Sequence, residues 1–402
     1  WVCMLFKDII GQSTVKKHLT EMVEQNRLSH ALLFLGKEGS GALPLALAFA
    51  QYVVSLPAPS PVVEDLFGGM TALESVPSFI SPDEIANQPN FQRAEQLLHP
   101  DLHFTYPVIP RKSGEKTYSH LYITEWREFV KQYPYGNVYD WLQFIGAENK
   151  QGNITADECN EINHKLNLKS FESAFKVIVL WMPEYLKKEG NKLLKLIEEP
   201  PPNTLFILVA ENDELILPTI LSRCQLVKIP ALTDEEIATA LVERAKAPED
   251  TAAQIAGICN GNYREALQLL QHADEDWQSL LREWLNATLK GGPLAQVKFV
   301  EEAAKLGREK QKQFLRYFNH LLAQSIRIKI LGPNHALLPE KEKDFAIRLN
   351  KIASVSQQQA VIEELDKAAY YVERNANAKI LFQALTIKLY HIIQNKTLIL
   401  VS

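Results

Sequence analysis

The chain has 402 residues and a formal net charge of −5, with 46% hydrophobic and 23% charged residues. This length favours two or three domains, and the composition excludes extensive disorder. No apolar run approaches the roughly 20 residues of a membrane span, and the negative charge argues against a basic nucleic-acid-binding surface along the whole chain.

The cysteines and the first residues give two further expectations. The opening residues, WVCMLFKDIIGQ, lack a signal-peptide pattern, so a cytoplasmic protein is expected. The four cysteines are far apart and contain no CxxC pair, which predicts neither a disulfide framework nor a zinc knuckle. They are Cys3, Cys159, Cys224 and Cys259.

The first predicted elements form a strand, a glycine loop and a helix in that order. Apolar residues at helical spacing predict an amphipathic helix over 13–27. The apolar run from Ala31 to Leu35 predicts a buried strand. A loop from Gly36 to Gly41 then leads into the apolar helix ALPLALAFAQYVV.

A loop-rich insert is predicted over 57–98, where six prolines and a Gly68-Gly69 pair interrupt the pattern. Strands are predicted over 175–181 and 204–210, with a helix over about 184–198 between them. This alternation favours an α/β fold whose parallel sheet carries helices on both faces.

After Pro230 the pattern becomes helical. Thr233 and Glu236 form a capping-box pattern at the start of a helix. From about 276 onward the pattern is helical throughout, and one apolar face is predicted for the last long helix. That face comprises Ile380, Leu381, Leu385, Leu389, Ile392 and Ile393.

The glycine loop has the spacing of a phosphate-binding GxxxxGK(S/T) motif but not its reactive residues. In a working loop the lysine neutralises the β- and γ-phosphates and the hydroxyl holds Mg²⁺, whereas these positions are Ala42 and Leu43 here. The loop glycines Gly36, Gly39 and Gly41 remain. Weak phosphate binding by backbone N–H groups stays open, as does a plain glycine turn.

A working ATPase with this loop also needs an acidic pair after the second strand, one carboxylate for Mg²⁺ and one to activate water. The second predicted strand of this chain lacks that pair. Trp181, Met182 and Pro183 follow the apolar run, and Glu184 is the first acid. Trp181 and Met182 are therefore interpreted as core residues. Both observations predict that the chain does not hydrolyse ATP at its own site.

At this point a family resemblance is visible. The stretch NKLLKLIEEPPPNTLFILVAENDELILPTILSRCQ, from Asn191 to Gln225, resembles the clamp-loader signature NALLKxLEEPPxxxxFIL…LxxTIxSRCQ. FKDIIGQ (6–12) and RLSHALLFLG (27–36) are similar to the N-terminal pattern of the same AAA+ family. Among subunits of this family, those without the loop lysine and the acidic pair resemble the delta-prime type of bacterial DNA polymerase III, whereas the gamma/tau ATPase subunits keep both.

The resemblance implies three domains: an AAA+ nucleotide-binding-like domain over 1–230, a helical lid over 231–275 and an all-α collar over 276–402 that joins subunits. It implies a stator of a clamp loader without a cofactor of its own. Its partners would be gamma/tau-like ATPase subunits and a delta-like subunit, with the sliding clamp and primed DNA reached through the assembly. No membrane partner is implied.

The resemblance also assigns roles to individual residues. Ser222 and Arg223 match the family's SRC motif, whose arginine reaches the ATP site of the neighbouring subunit. Arg264 matches the GxxRxAL lid motif, whose arginine senses the γ-phosphate in its own subunit. Because no triphosphate is expected here, a carboxylate partner for Arg264 is the favoured interpretation.

Other residue groups are possible metal-binding or base-stacking sites. Many family members carry a zinc module after the loop helix, but residues 50–105 contain no cysteine, so no metal is expected. The histidines at 99, 103 and 120 are interpreted as structural. The aromatic stretch Tyr133, Tyr135, Tyr139, Trp141 and Phe144 is interpreted as packing rather than base stacking.

Two rival functions remain at the level of sequence. A divergent but active AAA+ ATPase of replication or repair is the main alternative, and Ala42, Leu43 and Trp181 argue against it. An autonomous DNA-binding or branch-migration factor is the other. It would be expected to carry an extra basic domain, and the sequence shows none.

Overall fold

In the computed structural model the chain divides into two units. The structure describes residues 5–57, 79–112, 114–147, 150–271, 276–332, 340–373 and 376–394. The first unit comprises Trp1–Ala240 and Asn260–Glu265. The second comprises Leu241–Cys259 and Ala266–Ser402.

The first unit is built on a sheet of five strands. Its strands are β1 (Ala31–Leu35), β2 (Leu102–Thr105), β3 (Lys176–Trp181), β4 (Thr204–Ala210) and β5 (Gln225–Lys228). Their order is β2-β3-β4-β1-β5, and every neighbouring pair is parallel. Every residue of β3 and β4 is buried, as expected for parallel strands covered on both faces.

Two apolar cores cover the two faces of this sheet. Leu32 and Phe34 of β1 belong to one core, and Ala31 and Leu33 belong to the other, because successive side chains of a strand point to opposite faces. The helices that start in this unit are α1 (Ser13–Glu24), α2 (Ala42–Val54), α3 (Phe91–Glu95), α4 (Ile123–Gln132), α5 (Val138–Phe144), α6 (Ala156–Asn167), α7 (Leu194–Glu198), α8 (Pro218–Leu221), α9 (Asp234–Ala245) and α11 (Tyr263–Gln271).

In the described part of the second unit, the secondary-structure elements are all helices. It contains α10 (Glu249–Ile258), α12 (Trp277–Leu289), α13 (Gly292–Lys305), α14 (Arg308–Leu331), α15 (Glu340–Ile352), α16 (Val355–Glu373) and α17 (Ala378–Gln394). Trp284 lies at the centre of its core, fully buried and within 6.0 Å of Phe299, Phe314, Phe318 and Phe382 between ring centroids. None of the helices in the described part of the chain is long and apolar enough to cross a membrane.

The predicted α/β fold class, a parallel sheet followed by helices, is confirmed. The strands predicted at 31–35 and 204–210 have the predicted bounds, and β3 begins one residue later than predicted. The three domain boundaries stay a prediction, as do the lid and collar roles. Residues 58–78 of the predicted insert lie outside the described residues, and its described part contains α3 and a short 3-10 turn, Ile85–Asn87.

Two predictions about helices are wrong. The helix predicted over about 184–198 is a 3-10 segment, Pro183–Leu193, followed by α7, and Lys187 breaks it with φ 49°. The following KEGN sequence contains Gly190 and Asn191, which are poor helix formers. Ile380 is predicted to lie on the apolar face of the last helix, but this residue is 70% exposed.

Candidate functional site

The glycine loop lies at the carboxyl end of β1, directly before α2. Gly41 has φ +93° at the N-terminus of α2, a conformation that glycine adopts without steric cost. Ala42 and Leu43 form the first turn of this helix and are buried. The strand, loop and helix thus occur in the predicted order, with alkyl side chains at the two positions that carry lysine and hydroxyl in a working motif.

An open pocket with an empty volume of about 310 Å³ lies against this loop. Its walls come from the loop, from the start of α2 and from the carboxyl ends of β3 and β4, where ligands bind in parallel α/β sheets. Lys37, Glu38 and Glu211 are its charged lining residues. The others are Gly36, Gly39, Gly41, Ala42, Leu43, Pro44, Pro134, Tyr135, Gly136, Trp181, Met182, Val209 and Ala210.

The end of β3 supplies apolar side chains to this pocket. Trp181 is 2% exposed, and its ring centroid lies 5.2 Å from that of Trp126 and 6.1 Å from that of Phe129. Met182 is buried in the same core and has φ 60°. The interpretation of Trp181 and Met182 as core residues is confirmed.

Glu184, the first acid after β3, binds backbone rather than lining the pocket. Its Oε1 accepts hydrogen bonds from the backbone N–H groups of Glu211 and Asn212, at 2.7 and 2.9 Å. Burial raises the pKa of this carboxyl, and the backbone donors partly oppose the shift. Glu184 therefore fixes the chain just after β4.

Arg264 is bound by two carboxylates. Its Nε and Nη2 atoms donate to Asp140 at 2.5 and 2.6 Å, and its Nη1 donates to Glu38 at 3.2 Å. The side chain of Arg264 is only 5% exposed. The expected carboxylate partner of Arg264 is therefore present, and its two-point contact with Asp140 is the strong fork geometry of arginine.

Sequence reasoning missed Glu38 and Asp140. Asp140 closes a capping box on α5, in which Asn137 accepts from the Asp140 backbone and Asp140 accepts from the Asn137 backbone. The Asn-x-x-Asp spacing gives a signal for the cap but not for the contact with Arg264. Glu38 lies inside the loop motif at a position that the motif leaves unspecified.

Arg223 lies near the amino end of β5, just after α8. Its Nε donates to Glu198 at 3.2 Å, and its Nη1 donates to the carbonyl of Thr219 at 2.9 Å and to the hydroxyl of Ser222 at 3.3 Å. The side chain is 32% exposed. Three acceptor atoms from two short segments thus hold the guanidinium at the surface.

The strand register separates Arg223 from the glycine loop of its own chain. Gln225, the first residue of β5, is level with Leu32, whereas the loop begins after Leu35. At about 3.3 Å per residue, the run from Leu32 to Gly36 rises roughly 13 Å. Arg223 and the loop therefore lie toward opposite ends of the parallel strands.

The aromatic stretch and the possible metal ligands are the remaining candidate sites from the sequence. Tyr135 and Trp141 are buried, and Trp141 donates its indole N–H to the carbonyl of Pro107 at 2.7 Å. Their predicted packing role is confirmed, whereas Tyr133 is 48% exposed. Among the described residues, no group of three or more histidine, cysteine and acidic side chains is arranged to hold a metal ion.

Comparison with known proteins finds similarity to subunits of bacterial DNA polymerase III. Residues 82–233 match the family model described as DNA polymerase III, delta subunit. The delta' subunit of Bacillus subtilis (strain 168) is 28% identical over 64% of this chain and 59% of its own length. The delta' subunit of Haemophilus influenzae is 33% identical over 33% of this chain and 41% of its own length.

A tau subunit is similar over a longer part of the chain. The tau subunit of Bacillus subtilis (strain 168) is 24% identical over 79% of this chain and 46% of its own length. The chain thus spans about half the length of the curated relatives that it matches.

Proposed function

We propose that this chain, a delta-prime-like relative of the DNA polymerase III clamp-loader subunits, is the non-hydrolysing stator of a clamp loader. It would assemble with gamma/tau-like ATPase subunits and a delta-like subunit, and it would help to load a sliding clamp onto primed DNA. Within the ring, Arg223 would act on the ATP that a neighbouring subunit binds.

The position of Arg223 carries this proposal. It lies at the amino ends of the strands, away from the loop of its own chain, and its guanidinium is held at the surface by Glu198, Thr219 and Ser222. A guanidinium that a second subunit supplies can stabilise the charge that develops on a γ-phosphate. Both features support a role in trans.

The residues around the chain's own glycine loop support the proposal that this chain does not hydrolyse ATP. Ala42 and Leu43 offer neither a cation for phosphate nor a hydroxyl for Mg²⁺, and Trp181 and Met182 offer no carboxylate. The purified chain is therefore expected to show no Mg²⁺-dependent ATP hydrolysis. ATP hydrolysis that co-purifies with the chain would favour the alternative function, a divergent but active AAA+ ATPase.

Reconstitution with the cognate ATPase subunits tests the role of Arg223. Replacing Arg223 by Ala should slow hydrolysis at the neighbouring site by about 10³-fold or more, the scale of an arginine finger. Single-turnover ATP hydrolysis in the presence of clamp and primed DNA measures this rate. Arg223→Lys should also be slow, because lysine lacks the planar fork.

Arg93 provides a matched control for this experiment. Like Arg223, it is a surface arginine paired with one glutamate, Glu172, at 3.0 Å. Arg93→Ala should leave the rate unchanged. Equal rates for wild type and Arg223→Ala in fully assembled complexes would remove the finger and leave only a scaffold function.

A further inference from the structure

The glycine loop is tied to two other segments of the first unit through one acidic residue of its own. Glu38 accepts hydrogen bonds at Oε1 from Asn262 at 3.1 Å and from Arg264 at 3.2 Å. Its Oε2 accepts from Asn137 at 3.0 Å. Both oxygens of one loop carboxylate thus receive donors from the start of α5 and the start of α11.

The backbone and the neighbouring side chains close the same junction. The N–H of Tyr263 donates to the carbonyl of Gly39 at 3.2 Å. Gln12 donates to the carbonyl of Ser40 at 3.0 Å. The loop is therefore fixed from several sides by groups of its own chain.

The donors around Glu38 are those that a phosphate group would use. Arginine forks and amide N–H groups bind carboxylate and phosphate oxygens in the same geometry. The loop backbone and the N-terminus of α2 add a partial positive charge that attracts anions. In this chain the negative charge at the junction comes from Glu38 and Asp140, both bound to Arg264.

We infer that Glu38 and Asp140 are built-in anionic ligands of Arg264, which hold the loop junction together and exclude phosphate from the pocket. Glu38 lines the pocket, so its carboxylate stands between incoming anions and the guanidinium. A phosphate group entering the pocket would meet this negative charge and find Arg264 already paired. The inference is independent of Arg223 and of any partner subunit.

The double variant Glu38→Gln with Asp140→Asn tests this inference on the isolated chain. It should unfold at a lower temperature than wild type, because Arg264 loses both carboxylates. Inorganic pyrophosphate should then bind Arg264 and raise the melting temperature of the variant by roughly 3 °C or more. Wild type should show no rise in the same buffers, matched in ionic strength with NaCl.

Two control variants distinguish this rise in melting temperature from a general effect of charge. Adding Arg264→Gln to the double variant should abolish the rise with pyrophosphate. Replacing two carboxylates of ion pairs elsewhere, Asp157→Asn with Glu172→Gln, changes the net charge equally and should give no rise. A folded double variant that ignores pyrophosphate would overturn the inference, as would wild type stabilised to the same extent.

If the double variant does not fold, the single variants Glu38→Gln and Asp140→Asn decide the question. Glu38→Gln removes the charge that lines the pocket but keeps the fork between Arg264 and Asp140. It should gain a smaller rise with pyrophosphate than Asp140→Asn, which frees the fork. No rise in either folded single variant contradicts the inference.

Discussion

Gly39 shows how one residue shapes the loop junction. It has φ +71°, and a Cβ atom at this position would lie 1.9 Å from the Oδ1 atom of Asn262. Asn262 also donates to Glu38 and accepts from the backbone N–H of Glu265 at the start of α11. Gly39 is therefore required both for its backbone conformation and for the space that Asn262 fills.

Replacing Gly39 by Ala should lower the free energy of unfolding by about 2 kcal/mol or more, through backbone strain and the clash with Asn262. Gly146 is a matched control, because it has φ +69° and nothing within 4 Å of a built Cβ. Gly146→Ala should cost only the backbone term, about 1 kcal/mol. Equal losses for the two variants in chemical unfolding would show that the space beside Asn262 does not matter.

Helix α9 illustrates how far a local pattern determines an element. The Thr233 hydroxyl accepts from the backbone N–H of Glu236 at 3.2 Å, and the Glu236 carboxylate accepts from the backbone N–H of Thr233 at 2.9 Å. The capping box predicted from these two residues is confirmed. Both bonds satisfy donors that the first turn of a helix leaves without intrahelical partners.

Removal of this cap should destabilise the chain measurably. Thr233→Ala loses the hydroxyl acceptor and should lower the free energy of unfolding by about 1 kcal/mol. Thr233→Ser keeps an acceptor and should remain within a few tenths of a kcal/mol of wild type. Urea unfolding measures both, and similar losses for Ala and Ser would assign the effect to the methyl group instead.

For the molecule as a whole, buried histidines make stability depend on pH. His320 lies on α14, and burial lowers its pKa to about 4, partly opposed by a hydrogen bond with the backbone of Gly257. The folded state therefore favours the neutral imidazole. Its contribution to stability is complete above the unfolded pKa near 6.5 and is lost as the pH falls from there toward 4.

Replacing His320 by Gln should remove this part of the pH dependence. Between pH 6.5 and pH 4, wild type should lose about 2–3 kcal/mol more free energy of unfolding than His320→Gln. His18, which is exposed on α1, gives the control variant His18→Gln, which should follow wild type. Chemical unfolding at several pH values measures the difference, and parallel curves for wild type and His320→Gln would contradict the expectation.

The sequence by itself determined the features that depend on neighbouring residues. Apolar runs defined β1, β3 and β4, because a buried parallel strand needs continuous apolar side chains. The spacing of the motif shows directly that Ala42 and Leu43 stand in place of its lysine and its hydroxyl residue. In the same way, Trp181 stands where an acidic residue would follow the second apolar run. The SRC motif that contains Arg223 was visible in the same way, and its role in trans stays a proposal.

Only the tertiary structure decided which distant residues meet. β2 is short and contains His103, and three of the four residues of β5 are exposed, so neither shows a continuous apolar run. Arg264 contacts Glu38 and Asp140, which lie 226 and 124 residues away in the sequence. No local pattern encodes such pairs, because the parallel sheet and its connecting loops bring the three charges to one end of the strands.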